Sequence, residues 1–132
     1  MKKVVLTREE MPIADVLGTP QPESVGAVVS FLGTVRGGDV RWLEVEVDEK
    51  VALFELEELR RRAIERYSLI DAVIVHRYGR LEAGENIVLI CAAAEHRRAA
   101  FDGCRYIIDE IKRTIPIWKK EHTEQGERWV EG

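Results

Sequence analysis

The chain is poor in the residues that build metal centres and disulfide scaffolds. Its 132 residues include only two cysteines, Cys91 and Cys104, and three histidines. Neither cysteine has a CxxC partner and the histidines are scattered, so the spacing predicts no structural metal, and no cofactor is expected. Two lone thiols in apolar segments read as core cysteines. No run of about 18 apolar residues exists, which excludes a membrane-spanning helix. GxSxG, HExxH and a Ser/His/Asp arrangement that declares itself are all missing. Gly33-Thr34-Val35-Arg36-Gly37-Gly38 is glycine-rich but lacks the lysine and spacing of a P-loop. The opening residues 1–7 have a short apolar stretch without a small-residue cleavage site. They are expected to form a first strand rather than a signal peptide, and the expected compartment is the cytoplasm.

What is present fits one globular domain over residues 1–132, with 45% hydrophobic residues to build one core. The net charge of −4 gives no general argument for nucleic acid. Its distribution is more informative. Residues 44–58 carry seven acids against Lys50 alone, whereas residues 96–120 carry seven bases against Asp102, Asp109 and Glu110. An acidic chain with a basic C-terminal third suits a focused anionic ligand better than a long polyanion.

Periodicity gives the elements. Residues 3–7 read as a strand, 8–18 as a short turn or helix around Pro12, and 19–22 as a loop because two prolines forbid a regular helix. Residues 25–36 form a long apolar strand, followed by a Gly37-Gly38-Asp39 turn. Residues 41–47 then alternate, with Leu43, Val45 and Val47 on one face, and the two strands are expected to pair as a hairpin. Residues 50–67 carry a helical stripe that includes Val51, Leu53, Phe54, Leu56, Leu59 and Ala63. Residues 70–78 and 86–94 are apolar strands joined by a connection over 79–85. The main helix spans about 97–115, with Ala100, Phe101, Cys104, Ile107, Ile108, Ile111 and Ile115 as its buried stripe. Gly103 inside it signals close packing or a bend. The chain is expected to be extended after Pro116, with a last short strand at 128–130. This order predicts an α+β domain with an antiparallel or mixed sheet.

Three groups of residues can carry chemistry. Arg36 ends a strand beside a flexible turn, where its planar fork can meet a phosphate or carboxylate; an exposed arginine flanking a turn reads the same. His96-Arg97-Arg98 opens a helix, whose free N–H groups attract anions. Basic residues there oppose the helix dipole, so the segment is either an anion site or a solvated, poorly capped start. Lys112 and Lys119 flank Pro116. Lys112 also suits the dipole of a last helical turn. A lysine whose pKa is lowered by burial or by a cationic neighbour becomes a base or nucleophile. Arg97 and Lys112 lie fifteen residues apart on one helix, about 22 Å. One small substrate cannot touch both within a chain unless the helix breaks at Gly103. We therefore expect a homodimer, with His96 and Arg97 of one chain facing Lys112 and Lys119 of the other.

Four segments together resemble the molybdopterin synthase catalytic (large) subunit family: residues 26–36, His76-Arg77-Tyr78-Gly79-Arg80-Leu81 with Gly84-Glu85, His96-Arg97-Arg98-Ala99-Ala100-Phe101, and Lys112 to Glu121 with Trp129-Val130. They span residues 26–130 in the family's order and are jointly specific. The resemblance implies an α/β hammerhead-type fold and a homodimer core. It implies that each subunit binds a small ubiquitin-like sulfur carrier, giving a heterotetramer. The implied reaction converts cyclic pyranopterin monophosphate to molybdopterin, taking two sulfurs from the carrier's C-terminal thiocarboxylate. The positions carried over are Phe31, Arg36, His96, Arg97, Lys112, Lys119, Lys120 and Glu121, with Lys112 and Lys119 as the catalytic pair. Two other functions remain readable from the residues: a non-catalytic dimeric module that binds a partner's C-terminal carboxylate, and a basic surface for RNA, which the lack of aromatics among the arginines disfavours.

Overall fold

The computed structural model describes residues 2–130. The first sheet contains β1 (Val4–Thr7), β2 (Ala27–Thr34), β4 (Asp71–Arg77) and β6 (Asn86–Ala94) in the order β1-β4-β6-β2. β1 runs parallel to β4, and the other two pairings are antiparallel. The second sheet, β5-β3-β7-β8, is wholly antiparallel and contains β3 (Trp42–Val47), β5 (Gly79–Glu82), β7 (Ile117–Thr123) and β8 (Gly126–Val130). The helices are α1 (Ile13–Gly18), α2 (Glu49–Tyr67) and α3 (Arg97–Thr114). The architecture is the expected α+β arrangement with one mixed sheet.

Sequence chemistry explains the layers. β4 and β6 are nearly continuous apolar runs because both of their faces are covered. α2 and α3 lie on one face, where Leu56, Leu59, Ile74, Ile90 and Ile107 are fully buried. Each such side chain contributes roughly 1.5–3 kcal/mol of transfer free energy. The other face holds a smaller cluster of Met11, Val16, Val73, Val75, Leu89 and Cys91 under α1. Asp48 caps α2 by accepting the Val51 N–H at 3.2 Å. Left-handed Ser68 ends it, and the Leu69 N–H donates to the Ile64 carbonyl. Asp71 receives both Lys3 and Arg60 at 2.7 Å, tying β1 and α2 to β4.

Four expectations need correction. β2 and β3 do not form a hairpin; β2 pairs with β6, and β3 pairs with β5 and β7. β3 keeps one polar face and so belongs in a sheet that meets water on one side. Val35 and Val40 are buried as the chain crosses between the sheets. The 79–85 connection contains strand β5. Val51, Leu53 and Phe54 are exposed, and α2 buries Ala52, Leu56, Leu59 and Ala63 instead. Phe101 is 61% exposed and lies outside the buried stripe of α3.

α3 runs unbroken through Gly103, so this glycine marks close packing rather than a bend. A Cβ there would meet the Leu69 methyls at 2.7 and 2.8 Å. Gly103→Ala should therefore destabilise the fold by roughly 1–2 kcal/mol, the overpacking outweighing the gain in helix propensity. Leu69→Ala in the same chain should make the alanine at position 103 neutral or favourable. Chemical denaturation of the four proteins of this double-mutant cycle checks it; additive effects would contradict the packing account.

Candidate active site

The site is assembled where α3 gives way to β7. Pro116 cannot continue a helix, and Ile115 before it takes an extended conformation. The Ile117 N–H donates to the Ile115 carbonyl at 2.8 Å, closing a tight turn, and β7 then pairs with β3. Lys119 stands opposite Val45 in that ladder. Opposed residues project from the same face, and Val45 is buried, so Lys119 points inward. Lys112 reaches the same place from the last turn of α3.

Two adjoining cavities meet at these lysines. The larger, about 380 Å³, is walled by Phe31, Thr34, Arg36 and His76 together with Lys112 and Lys119. The smaller, about 230 Å³, is walled by Ile115, Ile117, Trp118 and Val130, again with His76 and both lysines. Burial pulls the Lys119 pKa down, and the nearby Lys112 ammonium pushes it the same way. Lys119 thus gives up its proton more readily than an ordinary lysine. Arg36 sits at the rim because Val35 is tethered on both sides: its N–H donates to Glu85 and its carbonyl accepts from Gly84, each at 2.8 Å.

His76 is a site residue that periodicity and motif reading did not single out. It ends the apolar run Ala72–Val75 and is 1% exposed. Its Nδ1–H donates to the Arg77 carbonyl at 2.8 Å, which leaves Nε2 as the acceptor. Burial lowers its pKa to about 4, and the Lys119 charge adds to that while the Arg77 bond opposes it. A polar residue at the end of an otherwise apolar strand was the available signal.

The other expected residues lie elsewhere. His96 and Arg97 are exposed at the start of α3, which His96 leaves without a side-chain cap. With α3 continuous, they stand about 22 Å from Lys112 of the same chain. Lys120 points to the opposite face of β7, with Nζ 4.6 Å above the Trp129 ring and 3.5 Å from Glu127. Glu121 accepts from Arg128 at 2.7 Å, and Arg128 also grips Asp39. One chain therefore brings Phe31, Arg36, Lys112 and Lys119 together, but not His96, Arg97, Lys120 or Glu121. Among the described residues no cluster of three or more His, Cys, Asp or Glu side chains could hold a metal ion. No helix there is long and apolar enough to cross a membrane.

Comparison with known proteins points to one family. The family model described as MoaE protein matches residues 6–114. The molybdopterin synthase catalytic subunit of Pyrococcus abyssi is 41% identical over 128 residues, covering 94% of this chain and 86% of that protein. The crystal structure of molybdopterin synthase from Staphylococcus aureus superposes with a TM-score of 0.92 at 32% identity, covering 100% and 99% of the two chains. A complex of subunits 1 and 2 of molybdopterin-converting factor from Helicobacter pylori shares the fold, with a TM-score of 0.80 at 19% identity over 98% and 90% of the chains.

The His76 environment predicts a pH dependence. Between pH 6.5 and about 4 the unfolded chain takes a proton at this position that the folded chain refuses. The contribution is complete above pH 6.5 and is lost as the pH falls toward 4, by roughly 3 kcal/mol in all. His76→Gln should narrow the difference between urea midpoints at pH 7 and pH 5. An unchanged difference would refute the assignment.

Proposed function

This chain belongs to the MoaE protein family, and from that premise we propose that it acts as the catalytic subunit of a molybdopterin synthase in molybdenum cofactor biosynthesis, working as a sulfurtransferase over its whole 132-residue length. The substrate is cyclic pyranopterin monophosphate. The sulfurs come from the C-terminal thiocarboxylate of a small ubiquitin-like carrier: the sulfur bonds to a pterin carbon, and water then cleaves its bond to the carrier's acyl carbon, leaving sulfur on the pterin and a carboxylate on the carrier. Two catalytic subunits form a homodimer core, with a carrier at each end, in the cytoplasm.

The observation that carries this reading is the convergence of Lys112 and Lys119 at the junction of two cavities. A sulfur-transfer site must admit two anionic reactants from different directions and hold them together. The larger cavity suits the pterin phosphate, with Arg36 at its rim and Phe31 as an apolar wall. The smaller, lined by Ile115, Ile117 and Val130, suits an extended glycine-ended tail. The Lys112 ammonium draws both anions. Lys119, with its lowered pKa, gives a proton to the group that gathers negative charge as the anionic sulfur adds to carbon, and takes one back from the water that then cleaves the thioester. His76 Nε2, left as an acceptor, faces the same cavities as Lys119. The partner's His96 and Arg97 add cationic contacts that one chain cannot supply. Lys120 and Glu121 position β8 through Glu127, Trp129 and Arg128, and so support the Val130 wall.

The test is conversion of the pterin by purified protein and thiocarboxylated carrier. Lys119→Ala should lower turnover by roughly 10²–10⁴ with circular dichroism and oligomeric state unchanged. Lys119→Arg should be almost as poor, since a guanidinium does not release its proton. Normal product formation by either variant sinks the assignment. Mixing Arg97→Ala and Lys119→Ala subunits should restore about a quarter of wild-type activity, because half of randomly formed dimers are mixed and each carries one intact site. No recovery in exchanged dimers would place Arg97 outside the shared site.

A further inference from the structure

We infer that His76 Nε2 accepts a hydrogen bond from the water that cleaves the carrier–pterin thioester, and so turns that water's lone pair toward the carrier's acyl carbon. The inference rests on the synthase reading above and gives the hydrolytic half of the reaction a residue outside the lysine pair.

His76 follows Ala72 and Ile74 along β4, and both of those are buried on the helix side of the first sheet. Side chains alternate along a strand, so His76 points the same way, toward the last turn of α3. There it lines both cavities, together with Ile111, Lys112 and Lys119. The Arg77 carbonyl engages the Nδ1 side of the ring at 2.8 Å. Nε2 is the polar atom left for the cavities, and no side chain of the described residues donates to it. A buried acceptor without a protein partner is costly, and such groups are kept where a ligand or water completes them.

The chemistry of the walls selects the partner. Among the described residues no carboxylate lines either cavity, and the other ionisable groups there are Arg36, Lys112 and Lys119. As cations these hold a phosphate and a thiocarboxylate but offer no lone pair. Thr34 adds a hydroxyl to the larger cavity alone, whereas His76 reaches both. A carboxylate at position 76 would repel both anionic reactants and pair with the lysines. A neutral imidazole does neither, and burial keeps it neutral, with a pKa of about 4. It is therefore suited to a neutral O–H donor at the junction of the cavities. The thioester, in which sulfur joins the pterin to the carrier, lies across that junction, and water is the reactant that has to reach it.

In this step the water oxygen bonds to the acyl carbon. The carbon–sulfur bond breaks, and its electron pair stays on the sulfur, which remains on the pterin. One water proton goes to the Lys119 amine. The other, hydrogen-bonded to His76 Nε2, stays on the new carboxyl group and is lost to solvent as the acid ionises. Nothing is oxidised or reduced, and the imidazole itself takes no proton. Two acceptors for two protons leave a lone pair of the oxygen aimed at the carbon, as a near-attack geometry requires.

The full chain, supplied with thiocarboxylated carrier and pterin, tests this by mass spectrometry of samples quenched during turnover. His76→Leu removes the acceptor at similar volume. It should still join carrier to pterin but clear the conjugate roughly 100-fold more slowly, so that a hydroxylamine-sensitive carrier–pterin species builds up. His76→Gln sets an amide oxygen near the Nε2 position and should recover much of the clearance rate. KM for the pterin should not change in either variant. Nitrogen NMR of the wild-type chain should find Nε2 without a proton from about pH 5 to pH 8, independently of how the variants fold. Wild-type turnover by His76→Leu, slow turnover without conjugate, or His76→Gln as slow as His76→Leu overturns the inference. So does a raised KM, which would make His76 a contact of the pterin, or a protonated Nε2 in wild type. All of these leave the synthase reading standing. A wild-type protein that forms neither conjugate nor product overturns that reading and this assignment with it.

Discussion

The structure depends on the helix stop at Pro116. α3 delivers Lys112 in its last turn, and the chain must then change direction at once, because the residue before proline is held extended and the proline has no N–H to give a further turn. β7 therefore starts beside the end of α3 and pairs with β3, and Lys119 enters the ladder opposite buried Val45. The second sheet is hung from this point. Moving the stop by one residue would turn Lys119 to the outer face of β7, where Lys120 rests on Trp129.

That same geometry sets His96 and Arg97 apart from the lysine cavity within one chain. A continuous helix is a rigid spacer, and Gly103 does not interrupt it because Leu69 fills the space beside it. The basic start of α3 and its basic end are thus kept apart in one subunit. The uncapped start at His96 leaves N–H groups facing solvent that a side-chain cap would otherwise satisfy. Both features make sense if another copy brings these groups to an anion.

Local chemistry was largely legible in the sequence. The apolar runs gave β4 and β6, the alternation gave β3, and the helical spacing over residues 50–67 gave α2. The Lys112 to Lys119 segment was readable because a proline and a tryptophan within a basic run have no role in a merely solvated surface. What was not legible was pairing between distant segments. Nothing in residues 25–47 tells β2 to pair with β6 rather than β3, since that choice depends on which faces are covered after α2 and α3 dock. For the same reason Phe101 read as core: it has the helical spacing but lies just off the edge of the layer beneath it. His76 escaped because its role comes from a neighbour, Lys119, forty-three residues away.

A half-buried lysine beside another lysine is a poor way to stabilise a fold. Burial and the Lys112 charge both oppose the Lys119 ammonium, and His76 must stay neutral in the same space. Packing alone would be better served by an apolar side chain at position 119, opposite Val45. The arrangement becomes favourable when an anion enters, because the same low-dielectric walls that penalise unpaired cations strengthen their attraction to a phosphate or thiocarboxylate. The site thus withholds part of its electrostatic stabilisation until its reactants arrive.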